Sequence, residues 1–339
     1  MPTAPSLPHD HRPDAKPAGR VVVLMSTYNG SRFIVEQLQS ILAQLPPGGL
    51  VLVRDDGSTD GTAEAIEALG DDRVRVARGH NMGFGASFLT LLSQAPDDAD
   101  LVMFSDQDDV WLPGKVQRAS AALARCGDRP ALYGSAQMLV DEALRPLGPT
   151  APWPAGASFQ GALTENIITG CTAALNVPAV RLLQRAGAVQ GVRFHDWWCY
   201  LVISAFGEVV YDDQPTLLYR QHGRNQIGHG AGWWGRQRQI VRFLLRNDWV
   251  GILLAQVQAL DSHFGTQLPA EARGLLDRYF ARSEGGLLPG WPLVFSLRRW
   301  RHHWFGELAL RILLSAYRLH LWPLPGRRID TMAGRTAVP

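Results

Sequence analysis

Lysine is almost missing from this chain. Of 33 basic residues among 339, only Lys16 and Lys115 are lysines and the rest are arginines. Cysteine is scarce too: Cys126, Cys171 and Cys199 lie far apart and form no Cys-x-x-Cys pair. That excludes a readable disulfide framework or thiolate zinc site and fits a reducing compartment. No uncharged apolar run reaches the roughly eighteen residues a membrane-spanning helix needs. Residues 1–19 are rich in Pro, lack the apolar core of a signal peptide, and read as a disordered lead-in. The expected location is therefore cytoplasmic, or peripheral on the inner face of the cytoplasmic membrane. The net charge of +2 excludes a chain-wide nucleic-acid binder. It is unevenly spread, however: from Trp233 to Asp330 fourteen Arg face seven acidic residues. A basic C-terminal third suits a phosphorylated ligand or an anionic membrane surface.

What is present is an alternation. VVVLM (21–25) is a continuous β-branched and apolar run, as in a strand buried on both faces. Residues 33–45 then repeat apolar side chains at helical spacing, through Ile34, Leu38, Ile41, Leu42 and Leu45. Strand-like segments recur at 51–57, 73–77 and 101–104, each followed by a helical stretch. Four strand–helix units predict a parallel α/β sheet, whose ligands bind at the carboxyl ends of the strands. From 130 to 225, strand-like pieces (ALYGSAQMLV, IITGCTAALN, GEVVYDD, TLLYRQH) surround helices at 178–187 and 195–206, which reads as an antiparallel continuation. Beyond 230 the pattern is helical.

The polar motifs gather at those strand ends. In LVMFSDQDDVW (101–111), Asp106, Asp108 and Asp109 follow an apolar strand directly. Three carboxylates so close repel one another, and a Mg²⁺ or Mn²⁺ ion would resolve the conflict. A solvated acidic turn capping the next helix is the plainer alternative. In DDGSTDG (55–61), Asp56, with Asp55 behind it, is placed to accept from a pyrimidine N3–H, while Ser58 or Asp60 caps a helix. Ser26, Thr27 and Tyr28 form a polar turn able to stack on and bond a base or ribose. His195-Asp196-Trp197-Trp198 opens an apolar helix. Asp196 there is either an N-terminal charge partner or a general base, with the two Trp excluding water around a sugar. Near 219–225, His222 is a candidate third metal ligand, and Arg220 and Arg224 are candidate diphosphate contacts, Arg220 alternatively being structural.

Together STYNG, RDDGSTDGT, GHNMGFG, SDQDDVW, GCTAALN, HDWW and YRQHGRN, in this order, resemble family 2 glycosyltransferases of GT-A fold. Among these, the chain is most similar to bacterial rhamnosyltransferases of O-antigen and cell-wall polysaccharide assembly, from Val21 to Asn225. The resemblance implies an α/β, Rossmann-like GT-A domain over 20–230 with a mostly parallel central sheet. A helical, basic, amphipathic region over 231–330 and a tail over 331–339 follow. It further implies that Asp56 binds the donor's pyrimidine, that Ser26 to Tyr28 line the base pocket, and that Asp106 faces ribose or metal. Asp108 and His222 would ligate Mg²⁺ or Mn²⁺. Gly170, Cys171 and Thr172 would border the acceptor pocket. Asp196 matches the catalytic base, where many members carry Glu-Asp and this chain has His195, which either assists the acceptor or only packs. The implied reaction is an inverting transfer, with rhamnose from dTDP-rhamnose as the first expectation and UDP or GDP sugars open. The acceptor would be a glycan or a polyprenyl-diphosphate-linked saccharide, with no nucleic-acid partner.

Two other readings compete. Asp106-Gln107-Asp108-Asp109-Val110 fits the DxDxV nucleophile pattern of haloacid-dehalogenase-type phosphatases, although those usually carry it on the first strand. A non-catalytic saccharide-binding subunit of an assembly complex would need neither metal nor nucleotide. A sugar nucleotidyltransferase is disfavoured, because VVVLMSTYNG lacks an early Gly-rich basic loop. Finally, Leu293, Leu297, Trp300, Trp304, Leu308, Ile312 and Leu319 form a helical stripe, with Arg298, Arg299, His302 and His303 off it. Such a stripe docks on its own domain or lies in a membrane interface.

Overall fold

The computed structural model describes residues 19–153, 156–187, 189–222, 248–283, 286–295, 304–319 and 321. β1 (Val21–Thr27) is central. Val22 and Leu24 bury into one core and Val21, Val23 and Met25 into the other, which is why the run has no polar alternation. The expected units follow as α1 (Ile34–Leu42), β2 (Leu50–Asp55), α2 (Thr62–Glu67), β3 (Val74–Arg78), α3 (Phe84–Ser93) and β4 (Leu101–Ser105). Next come β5 (Val110–Trp111), α4 (Lys115–Ala124), β6 (Ala131–Ser135), β7 (Met138–Val140), β8 (Pro146–Pro149) and α5 (Phe159–Ala162). A 3-10 turn (Gly170–Thr172) leads into β9 (Ala174–Asn176), α6 (Val177–Arg185), α7 (His195–Phe206), β10 (Glu208–Asp212) and β11 (Leu217–Arg220).

Seven strands make the main sheet in the order β10-β6-β9-β4-β1-β2-β3. β1 runs parallel to β2 and β4, and β2 parallel to β3. β9 is antiparallel to both β4 and β6, whereas β10 is parallel to β6, so the expected antiparallel continuation is only half correct. Helices cover both faces: α1, α2 and α4 bury Ile34, Leu38, Ile41, Ile66, Val116 and Leu123 on one. Phe88, Leu91, Leu92, Leu182, Leu183 and the apolar residues of α7 fill the other.

Two segments read as single strands are broken. Residues 131–140 divide into β6 and β7, which belong to different sheets. In 167–176 only the last three residues are strand, since Gly170–Thr172 turns instead. The second sheet, β5-β11-β7-β8, pairs β11 antiparallel with β5 and parallel with β7, and so carries residues 217–222 alongside the acid loop.

The C-terminal part contains α8 (Trp249–Phe264), α9 (Ala270–Tyr279), β12 (Phe280–Ser283), β13 (Gly286–Pro289), α10 (Trp291–Phe295) and α11 (Trp304–Arg318). The antiparallel β12–β13 hairpin corrects an all-helical expectation. This part shares a core with the main sheet's helices: Trp249 stacks on Trp197 with ring centroids 4.9 Å apart and planes 15° from parallel. Among the described residues no helix is long and apolar enough to cross a membrane. Of the expected stripe, Leu293 is buried, while Leu308, Ile312 and Leu319 are exposed. α11 packs inward through Leu310, Leu313 and Leu314 instead. Leu297, Arg298, Arg299, Trp300, His302 and His303 lie outside the described residues, and so does Arg224.

Candidate active site

Parallel strands deliver the polar turns to one edge of the sheet. β1 ends in Thr27 with Tyr28 next, β2 in Asp55 with Asp56 next, and β4 in Ser105 with Asp106 next. Gln107 locks two of these turns together, because its Oε1 accepts the Tyr28 N–H at 2.9 Å and its Nε2 donates to the Tyr28 carbonyl at 3.1 Å. Gly30 lies close beneath it: a Cβ there would sit 2.3 Å from Gln107 Oε1 and displace that amide. From below, α1 pins the acid loop: Gln37 Nε2 donates to Ser105 Oγ at 2.6 Å and the Trp111 N–H donates to Ser40 Oγ at 3.0 Å. Gln107 was not anticipated, although its place between two aspartates was visible.

Asp108 and His222 meet directly, with Oδ2 and Nε2 2.7 Å apart. The His222 ring also stacks on Phe33, at 5.4 Å between centroids. Arg220 answers its open question as a structural residue. It is 3% exposed, donates through Nε to the Asp108 carbonyl at 2.9 Å and through Nη1 to the Glu142 carbonyl at 2.6 Å, and pairs with Glu36. Its backbone N–H donates to Asp109 Oδ1 at 3.2 Å, which fastens β11 to the acid loop.

Asp106, Asp109 and the Cys171 thiol form a second group, with ligand-capable atoms all within 4.8 Å of one another. Burial, and then the charges of Asp108 and Asp196, push the Asp106 carboxyl up to about 7. Burial likewise raises Asp109 well above the usual carboxylate range, with Asp108 and Asp106 adding to it. Asp109 Oδ2 is buried with no hydrogen-bond partner of ordinary geometry. A site with so much unneutralised carboxylate fits a hard divalent cation; Asp108 and His222 present an oxygen and an imidazole donor side by side, while Asp106 groups with Asp109 and Cys171 rather than with them.

On the nucleotide side the expected residues divide. Tyr28 is 45% exposed and offers a free aromatic face at the mouth of the site. Ser26 Oγ bonds Ser87 Oγ at 2.8 Å. Asp56 is buried and ion-paired with Arg54, while its Oδ2 accepts the Met82 N–H at 3.2 Å. Asp55 and Thr27, both buried, bond each other, and Asp55 also accepts from the Ser58 N–H and Oγ at 2.9 and 2.5 Å. Asp55 and Thr27 therefore hold the loop's shape rather than line it, a correction to the expectation.

The acceptor side needs more revision. Asp196 stands at the start of α7, and its Oδ2 accepts the Gly170 N–H at 3.1 Å and its Oδ1 the Trp197 N–H at 2.7 Å. Burial nonetheless lifts it to about 6, because the desolvation penalty outweighs those bonds. Trp197 and Trp198 are each 1% exposed and belong to the core; Trp197 Nε1 donates to the Ala162 carbonyl at 2.7 Å. Their helix is buried all round, so they cannot flank a sugar. His195 is stacked on Phe88 at 4.0 Å and edged by Phe104, and burial drives it down to about 3. It is a neutral packing residue, and a Cβ on Gly170 would come within 2.8 Å of its Nε2. The side chains of Cys171 and Thr172 are also fully buried. Thr172 Oγ1 donates to the Thr169 carbonyl at 2.7 Å, and Cys171 Sγ accepts from Gln137 Nε2 at 3.4 Å. What the turn gives the site is the Gly170 N–H.

Residues 22–162 match the model of "Glycosyl transferase family 2". Over that stretch the chain is similar to that family. A curated relative, "dTDP-rhamnosyl transferase RfbG" of Shigella flexneri, is 29% identical over 266 residues, covering 72% of this chain and 88% of the relative. A solved structure titled "Mannosyltransferase PcManGT from Pyrobaculum calidifontis in complex with GDP-Man and Mn2+" superposes with a TM-score of 0.51 at 18% identity. It covers 92% of this chain and 90% of that one. The fold is thus the GT-A fold, and the family match favours a glycosyltransferase over the phosphatase and non-catalytic readings.

Proposed function

We propose that this chain is a metal-dependent, inverting glycosyltransferase that moves L-rhamnose from dTDP-L-rhamnose to a hydroxyl of a glycan or lipid-diphosphate-linked acceptor, in bacterial surface polysaccharide assembly. The sugar and carrier rest on the similarity to RfbG, which is named as a dTDP-rhamnosyl transferase. The chemistry rests on one observation above all. A half-buried carboxylate at the start of α7, held by the Gly170 and Trp197 N–H groups and lifted to about 6, lies near enough to the acid loop for its charge to raise Asp106. A base with that affinity for protons is largely ionised near neutrality and still able to take one.

In this reading Tyr28 stacks on the base and Asp56, steadied by Arg54, faces its N3–H. Asp108 and His222, with Asp106 from the same loop, would hold Mg²⁺ or Mn²⁺. Such an ion supplies positive charge to the diphosphate of the donor. Asp196 takes the proton of the acceptor hydroxyl, whose oxygen forms a bond to the donor's anomeric carbon. The bond from that carbon to the diphosphate oxygen breaks on the opposite face, and its electron pair leaves with the nucleotide. The Gly170 N–H orients the carboxylate for the transfer. Peripheral contact with an anionic membrane joins this reading, supported by exposed Trp291, Phe295, Leu308, Ile312 and Leu319 and the basic composition of the C-terminal third.

Calorimetric binding of dTDP-, UDP- and GDP-sugars, with and without Mn²⁺, tests the donor class. Mn²⁺-dependent binding of dTDP-rhamnose is expected, and absence of binding by every donor with and without acceptor overturns it.

A further inference from the structure

Lys115 is buried completely, in a chain that otherwise meets almost every need for a positive charge with arginine. Burying an ammonium costs several kcal/mol unless its surroundings compensate. A neutral side chain would fill the same space between α4 and the sheet at less expense, so the charge calls for a reason. Its contacts supply one. Nζ donates to the Cys171 carbonyl at 3.0 Å and to Thr216 Oγ1 at 3.3 Å, and lies 5.0 Å from the centre of the Trp111 ring. Burial lowers the ammonium to about 8, with Cys171, Asp109 and Asp106 pulling the other way.

These contacts join three segments. Lys115 begins the helix that follows the acid loop, and its own N–H donates to Gln44 Oε1 at 3.0 Å, so its backbone is fixed to the α1 end. The Cys171 carbonyl belongs to the 3-10 turn whose Gly170 N–H holds Asp196. Thr216 immediately precedes β11, the strand leading to His222, and its Oγ1 is also 2.6 Å from Ser135 Oγ. A flexible stem with a compact, three-donor head satisfies this convergence, whereas a planar guanidinium would need a wider chamber.

We infer that Lys115 is a positioning residue, whose Nζ ties the Gly170–Thr172 turn to the start of α4, directly after the acid loop, and thereby fixes Asp196 relative to the donor. The inference rests on the proposed role of Asp196, but its anchoring half can be read without any donor.

Two measurements decide it. In the free protein, Lys115→Met should speed amide hydrogen exchange in residues 169–172 by about tenfold or more, while β1 and β2 stay protected. In turnover, the same variant should lose about tenfold or more in kcat with the donor KM changed less than about threefold, since only alignment is lost. Thr216→Val, which removes the other partner, should keep kcat within about threefold. Unchanged exchange at 169–172 overturns the anchoring. Intact kcat, or a kcat loss matched by Thr216→Val in proportion to lowered thermal stability, overturns the positioning role. If Lys115→Met does not fold, Lys115→Gln, which keeps a donor without the charge, takes its place in both readouts. Failure of the wild type to bind any nucleotide sugar would count against the proposed function, and the exchange result would still stand for or against Lys115.

Discussion

Asp108 and His222 are 114 residues apart in the chain and 2.7 Å apart in space. Two strands make that meeting possible, because β5 pairs with β11 just beyond the acid loop and Arg220 fastens the one to the other. As a mere ion pair this contact would matter little to catalysis. As a ligand pair it governs the cation, and loss of even an outer-shell partner of a metal site typically costs 10–100-fold in affinity. Asp108→Asn and His222→Ala should each weaken Mn²⁺ binding by about a hundredfold or more, and donor binding with it. Calorimetry with Mn²⁺ alone and then with donor checks this. Wild-type Mn²⁺ affinity in both variants would reduce the pair to a structural contact.

Proton competition gives the same site a pH signature. In the metal-free protein the Asp106 carboxyl is lifted to about 7 and Asp109 also lies above its ordinary range. A cation binds the ionised forms, so it must displace protons below those values and displaces none above them. Mn²⁺ affinity should therefore rise with pH through about 7 and then flatten. Titrations in buffers of different ionisation enthalpy should show proton release on binding near pH 6 that fades by pH 8. An affinity independent of pH over that span would mean that Asp106 is not involved.

Asp196 supplies the most direct test of the chemistry. A general base must be ionised to work, and burial lifts this one to about 6. Turnover at saturating donor and metal should climb as pH rises through about 6. Asp196→Asn should lose about 10²–10⁴-fold in kcat, the usual worth of a positioned base, while donor affinity stays near wild type. Parallel loss of donor binding would place Asp196 in the donor site instead.

The parallel sheet was legible because β1, β2 and β4 are apolar on both faces, a pattern that only a sheet covered by helices on each side satisfies. The strand-end acids were legible for the same reason, since the rule that puts ligands there needs only the strand limits. Their division of labour was not. Asp55 and Asp56 are adjacent, yet one is occupied by Ser58 and Thr27 and the other by Arg54, and sequence spacing does not reveal which oxygen each partner takes. The two Trp of HDWW were misplaced because α7 is mostly apolar: with so few polar positions, nothing marks Trp197 and Trp198 as interior. Lys115 showed only as a rare residue, and its reach to Cys171 and Thr216 is a long-range contact that no local pattern encodes.

That burial carries its own prediction. Trp197 of α7 is stacked on Trp249, with its indole N–H bonded to the Ala162 carbonyl. Trp197→Ala should cost about 3–5 kcal/mol of stability through the cavity it leaves. Trp197→Phe, which keeps most of the volume but orphans that carbonyl, should lower thermal stability less and leave the acceptor KM unchanged. Denaturant unfolding together with acceptor kinetics checks both. A raised acceptor KM in a stable Trp197→Phe protein would return the indole to the sugar site.

The outer face of the C-terminal helices gives the last prediction. Trp291 and Phe295 stack at 5.6 Å, and Phe295, Ile312 and Leu319 are 70%, 60% and 54% exposed while Leu310 and Leu314 of the same helix pair are fully buried. An apolar face left outside after the core is satisfied asks for a partner. Interfacial helices bind by buried apolar area together with attraction between Arg and anionic lipid, so both parts should be separable. The full-length protein should co-sediment with phosphatidylglycerol-containing vesicles and not with neutral ones, and added salt should weaken it. Phe295→Asp with Ile312→Asp should abolish sedimentation while leaving donor binding and thermal stability near wild type, because both side chains face outward. Sedimentation that ignores lipid charge, or that survives the double substitution, would remove the membrane from the reading and leave the face to another partner.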